Sequence, residues 1–116
     1  YIDDIVEGIF RIQAIVPEKN NTWTVENGSA SMSSAPYKVF NIGNGNPVKL
    51  LDFVESLENS LGKKAQKNFM PMQAGDVYQT YADVEDLYQI ANYKPSVSVP
   101  DGVSNFVDWY KDFYNV

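Results

Sequence analysis

Between Lys38 and Met70 the sequence reads as a strand, a glycine turn, a helix and a second strand, an order that leaves few folds open. Lys38-Val39-Phe40-Asn41-Ile42 is a short apolar run of strand-forming residues, and Gly43-Asn44-Gly45-Asn46 is a turn. Asn46 is suited to cap a helix and Pro47 to occupy its first position. Leu50, Phe53, Val54, Leu57 and Leu61 then repeat at helical spacing as far as Gly62, the residue type favoured just past a helix end. A second strand is expected around Gln66 to Met70. Strand, helix, strand in sequence predicts a right-handed βαβ crossover with parallel strands, and so an α/β class.

Helices are expected on both sides of this unit. Ile2, Ile5, Val6, Ile9 and Ile12 follow a three-and-four spacing, with Asp3, Asp4 and Glu7 near the positive end of the helix dipole. Pro17 forbids continuation, so this helix is expected to end near Val16. Asp83 is placed to cap a helix carrying Val84, Leu87, Tyr88 and Ala91, with Asn92 and Pro95 as stop signals. The last helix is expected from about Pro100, with Val103, Phe106, Val107, Tyr110 and Tyr114 on one face and Asp101, Asp108 and Asp112 in solvent. The 116 residues suffice for one compact domain, residues 1–116, interrupted by an Asn- and Ser-rich mobile surface loop at about 17–36. Within it, Trp23 reads as the side chain that pins the loop to the body.

Composition removes whole classes of chemistry. The chain has no Cys and no His, so it contains no thiolate or imidazole metal site, no cysteine nucleophile and no Ser-His-Asp triad. Nine Lys and Arg against 15 Asp and Glu give a formal net charge of −6. Lys63, Lys64 and Lys67 form the densest basic group, too little to track a phosphate backbone, so neither nucleic acid nor an anionic membrane is an expected partner. No segment is long and apolar enough for a membrane span and none reads as a signal peptide, which places the protein in the cytoplasm as an expectation. The triplets Asn20-Asn21-Thr22 and Asn27-Gly28-Ser29 match a glycosylation pattern short enough to arise by chance.

Gly43-Asn44-Gly45 follows a strand and precedes a helix, as a dinucleotide fingerprint does. Val48 stands where that fingerprint needs its third glycine, so a tight strand-to-helix turn is the better reading. Asp83, Glu85 and Asp86 sit at a helix start, where carboxylates belong for capping, and are not taken as metal ligands. The Gln73-Ala74-Gly75-Asp76 turn differs. It lies past the carboxyl end of an expected strand, where open α/β sheets bind their ligands. It combines an amide donor, a glycine that lets backbone approach a ligand, and a carboxylate able to accept from sugar hydroxyls.

The order of segments resembles the NAD-dependent epimerase/dehydratase family, the extended short-chain dehydrogenase/reductases. The resemblance runs through Tyr1-Ile2-Asp3-Asp4-Ile5-Val6-Glu7-Gly8, Ser34-Ala35-Pro36-Tyr37 and Phe40-Asn41-Ile42-Gly43-Asn44. It continues in Pro71-Met72-Gln73-Ala74-Gly75-Asp76-Val77, Thr80-Tyr81-Ala82-Asp83 and Phe106-Val107-Asp108-Trp109-Tyr110. The Gln-containing turn is most similar to the UDP-glucuronate epimerase branch. The resemblance implies a two-lobed parent whose amino-terminal Rossmann domain holds NAD and the catalytic Ser/Thr, Tyr and Lys. This chain then corresponds to the carboxy-terminal lobe, which grips the UDP-sugar.

In such a parent, hydride leaves C4 of the sugar, the ketone rotates, and hydride returns to its other face. The eight tyrosines of this chain all lack the Lys four residues on that the family's Tyr-Lys pair requires. The expectation is therefore a chain with no catalytic residue and no cofactor or metal of its own, NAD belonging to the parent, which is not an enzyme alone. Site residues follow from the resemblance. Asp76 matches the acid that contacts the nucleotide ribose, Gln73 stands where many relatives place an Arg against the diphosphate, and Thr80 matches a residue lining the sugar pocket. The competing readings are a lobe of a related nucleotide-sugar dehydratase or decarboxylase, a free-standing non-catalytic sugar-nucleotide-binding module, and a structural domain in which Gly75-Asp76 is only a turn.

Overall fold

A computed structural model describes residues 1–116 and contains four helices: α1 (Ile2–Gln13), α2 (Leu50–Leu61), α3 (Glu85–Ala91) and α4 (Val99–Tyr114). They fall into two compact units. One comprises Tyr1, Asn46–Tyr81 and Val97–Val116; the other comprises Ile2–Gly45 and Ala82–Ser96.

In the first unit α2 packs on α4. Ser98 starts α4 by accepting the amide of Asp101, and Pro100 fits its first turn, where no amide is needed. Val103 and Val107, four apart, turn inward and are buried. Both helices end in the same way. Gly62 (φ 67°) follows α2 and donates to the Asn59 carbonyl, while the Lys63 amide reaches back to Glu58. Asn115 (φ 53°) does the same after α4, with bonds to Asp112 and from Val116 to Lys111. These are Schellman closures, which satisfy carbonyls the helix cannot. The Lys111 ammonium caps a further one, donating to the Ser60 carbonyl at 3.1 Å.

In the second unit α1 packs on α3. Leu87, fully buried, and Val84 form its apolar centre. Gly8 lets α1 approach closely: a Cβ there would stand 3.3 Å from both Ile42 and Tyr93. Asp4 is buried, and its carboxylate accepts from the Tyr93 hydroxyl (3.0 Å) and the Ser96 amide (3.2 Å). An acid expected merely to complement a helix dipole is thus a tertiary anchor.

Several expectations need correction. No strand forms, so the βαβ crossover is absent; the only bridge is an isolated antiparallel pair, Met32 with Lys38. A strand needs a ladder of hydrogen bonds to a neighbour; Lys38–Ile42 has one isolated bridge, at Lys38, and 66–70 has none. The crossover helix is present but starts at Leu50, with Lys49 extended before it (ψ 139°) and without side-chain capping, so Asn46 and Pro47 lie outside it. Helix α1 ends at Gln13, three residues early, its last amides closing tighter bonds from Ala14 to Arg11 and Ile15 to Ile12. Phe106, Tyr110 and Tyr114 are exposed, forming with Trp109 and Phe113 a ladder of ring contacts along α4.

The 17–36 segment is bonded to itself. Asn20 Oδ1 accepts from Thr22, Asn27 Oδ1 from Thr24, and the Trp23 indole donates to the Ser29 carbonyl at 3.1 Å. Trp23 therefore pins the loop internally, against Gly28. No helix is long and apolar enough to cross a membrane. Accessible surface totals 9370 Å², whereas a folded monomer of 13.1 kDa should expose about 6,400 Å².

Candidate functional site

The Gln73–Asp76 turn, singled out in the sequence, forms as a closed turn: the Asp76 amide donates to the Gln73 carbonyl at 3.2 Å. Gly75 sits at φ 88°, a conformation any side chain would strain, so its glycine is required by the backbone. One carboxylate oxygen of Asp76 accepts the Val77 amide at 2.9 Å. That bond fixes the carboxylate and leaves its second oxygen available to a hydroxyl donor. Gln73, Asp76 and Thr80 are all exposed, as is every residue from Leu61 to Tyr81.

Thr80 lies at the edge of a concavity of about 830 Å³, formed by the start of α2 and the strip that follows the turn. Lys49, Leu50, Phe53, Tyr78 and Gln79 line it with Thr80. Gln73 and Asp76 share a turn but do not line this groove. Lys49 is a cation within it that spacing did not single out, because its place at the head of α2 shows only once the helix start is known.

Two acidic features of the sequence resolve into separate partnerships. The cap position of α3 falls on Val84 and not on Asp83 as expected, though Asp83 just before it accepts the Glu85 amide (3.0 Å); Glu85 accepts from Gln89 (2.6 Å), and Asp86 pairs with Lys38. Glu58, in the last turn of α2, is buried and takes the ammonium groups of Lys64 (2.9 Å) and Lys67 and the amide of Ala65 (3.0 Å). Lys67 first, then Lys64, holds its carboxyl down at about 2. Sequence reading passed over Glu58. Its one signal was an acid in a last helical turn, where the dipole disfavours negative charge. Burial, then the Asp4 carboxylate, pushes the Tyr93 phenol up.

The Gly43-Asn44-Gly45 turn does not suit a dinucleotide. Asn46 to Lys49 separate it from α2, so no helix start faces it, and a Cβ on Gly43 would meet that of Ala82 at 3.2 Å. The residues present do not fit NAD at this turn.

No protein-family model matches the chain. Curated proteins do. It is 49% identical over 114 residues to Protein CapI of Staphylococcus aureus, covering 98% of this chain and 34% of that protein. It is 44% identical over 115 residues to a probable UDP-glucuronate 4-epimerase of Rhizobium meliloti, with 98% and 34% covered. Among solved structures, it superposes with a TM-score of 0.71 and 29% identity on a UDP-glucuronic acid 4-epimerase mutant from Bacillus cereus, in complex with UDP-4-deoxy-4-fluoro-glucuronic acid and NAD. That match covers 98% of this chain and 31% of the other.

In fold and sequence the chain is similar to nucleotide-sugar epimerases, as its segment order suggested. Within that class its relatives named for an activity are UDP-glucuronate 4-epimerases, the branch expected from the Gln73 turn. The chain spans about a third of the length of the relatives it matches.

Proposed function

We propose that this chain is the carboxy-terminal nucleotide-sugar-binding domain, residues 1–116, of a cytoplasmic NAD-dependent enzyme that inverts C4 of UDP-glucuronate. The observation that carries the proposal is the end-to-end likeness to a UDP-glucuronic acid 4-epimerase, 98% of this chain at a TM-score of 0.71. In this reading Asp76 accepts from the ribose hydroxyls, Gln73 donates to the diphosphate and Thr80 borders the sugar. Support for these roles comes from the closed turn, the oriented Asp76 carboxylate and the groove beside Thr80. A neutral amide contributes about 1 kcal/mol to a phosphate where a charged donor contributes roughly 1.5–3. The diphosphate therefore draws most of its binding from cations beyond the turn.

An amino-terminal Rossmann lobe supplies NAD and the chemistry, and this chain contributes no catalytic group. A permanent interface with such a lobe would cover about 1,000–2,500 Å² on this side, a part of the surface excess of about 3,000 Å² over the folded-monomer expectation. The test is calorimetric titration of UDP-glucuronate into the protein as its gene encodes it, with conversion to the C4 epimer followed in parallel. Binding with epimer formation is the expected result. Tight binding with a different product would move the assignment to a dehydratase or decarboxylase, and no binding would end it.

A further inference from the structure

We propose that Glu58 is the positioning residue of the nucleotide-sugar turn, holding the strip that carries Gln73 and Asp76 in its binding course. This rests on the function proposed above. From Leu61 to Tyr81 no side chain is buried, so packing does not fix the path of this strip. Polar ties must do so, and at its start they converge on one residue. The Glu58 carbonyl accepts the Lys63 amide (3.2 Å), and its carboxylate accepts Lys64, the Ala65 amide and Lys67. Four of the five residues from Lys63 to Lys67 are therefore bound to Glu58.

The carboxylate is almost fully enclosed by these partners, with 5% of its side chain exposed, although it occupies a helix end that disfavours negative charge. An acid kept against the dipole and saturated by the following segment acts as a clamp on that segment. Further along, the strip has only its own turn, Asp76 to Gln73 and Val77 to Asp76. Direction at the turn is thus inherited from the clamp, six residues before Gln73.

The test uses the protein as its gene encodes it, with Glu58→Gln compared with the unchanged protein. Glutamine keeps the size and can accept the Ala65 amide, but it cannot hold both ammonium groups. If the competent course falls to about a tenth of its population, the Kd for UDP-glucuronate rises about tenfold. Amides 65–76 then exchange faster with deuterium, and in turnover the loss falls on KM and not on kcat. Faster exchange with a Kd within about twofold of the original would make the clamp a stability element only and overturn the proposal. Should Glu58→Gln fail to fold, Lys67→Gln leaves Lys64 in place, and an unchanged Kd there overturns it equally. Absence of UDP-glucuronate binding by the unchanged protein would remove both this inference and the functional reading; binding unaffected by either substitution removes this inference alone.

Discussion

A methyl group added at Gly28 has nowhere to go. Its Cβ would lie 2.0 Å from the Trp23 indole nitrogen and 2.3–2.4 Å from two neighbouring ring carbons. Gly28 is not among the positive-φ glycines Gly45, Gly62 and Gly75, so the demand is for space and not for backbone freedom. The glycine cannot retreat easily, because its amide is bonded to the Thr24 carbonyl at 2.7 Å. The indole must then swing away and release its 3.1 Å bond to Ser29. Overpacking costs about 1–3 kcal/mol, and the lost hydrogen bond adds roughly 0.5–1.5. Gly28→Ala is expected to destabilise the loop by about 2–4 kcal/mol in total. In a Trp23→Ala background the same change should stabilise by about 0.4–1 kcal/mol, because alanine restricts the unfolded chain. Urea denaturation and deuterium exchange of amides 22–32 on the four proteins of the cycle measure the coupling. Additivity within about 0.5 kcal/mol would show that Trp23 does not sit on Gly28 and refute the argument.

Gly8→Ala sets two effects against each other. Helix propensity gains about 1 kcal/mol and contacts at 3.3 Å with Ile42 and Tyr93 cost about 1–3. Tyr93 is held by Asp4 and by Arg11, 4.9 Å from its ring, so a net loss of about 1 kcal/mol is expected in urea denaturation. Glu58 has a depressed folded pKa of about 2 against an ordinary value of 4.5. Its stabilising contribution is full above pH 4.5 and disappears as pH falls toward 2, so the stability gap between the protein and Glu58→Gln should narrow across that interval in acid titrations. A gap independent of pH there would mean Glu58 is not paired. Asp76→Asn replaces a charged acceptor with a neutral one, a difference of about 1–1.5 kcal/mol, so UDP-glucuronate affinity should fall about tenfold by calorimetry.

What could be read in the sequence was what depends on neighbours in the chain. The Gly62 stop, the Asp83 bond into α3, the Pro100 start and the inward pair Val103 and Val107 all follow from local spacing, and all form. So does the turn at Gln73–Asp76, whose geometry is set within four residues. Strands failed because a ladder is non-local: Lys38–Ile42 has strand composition, yet composition cannot supply a partner. Glu58 and Asp4 were missed for a related reason. Their partners lie beyond the i+3 and i+4 positions, at Lys64 and Lys67 across a helix stop, and at Tyr93 and Ser96 in a distant segment. A residue's role as an anchor is invisible until the chain that it anchors has been placed.

The unpaired strand-like runs, the large surface and the exposed binding turn have a common explanation under the proposed function. Four apolar residues, Val84, Leu87, Val103 and Val107, are buried, while Ile2, Val6, Ile9 and Phe10 on α1 and the ring ladder on α4 face outward. Permanent interfaces bury about 2,000–5,000 Å² in total, shared between both partners. An excess of about 3,000 Å² on this side alone exceeds half of even that upper figure, so one docking lobe would not cover it all. The extended strip from Leu61 to Tyr81 is where the exposed surface is continuous, and it carries the proposed binding turn. Phe69 and Met70 lie exposed on the same strip as Gln73 and Asp76, so a nucleotide held at the turn would cover apolar surface that the chain leaves open. Under that function, binding of UDP-glucuronate buries exposed apolar surface and should carry a negative heat-capacity change in calorimetry, and a change near zero would refute it.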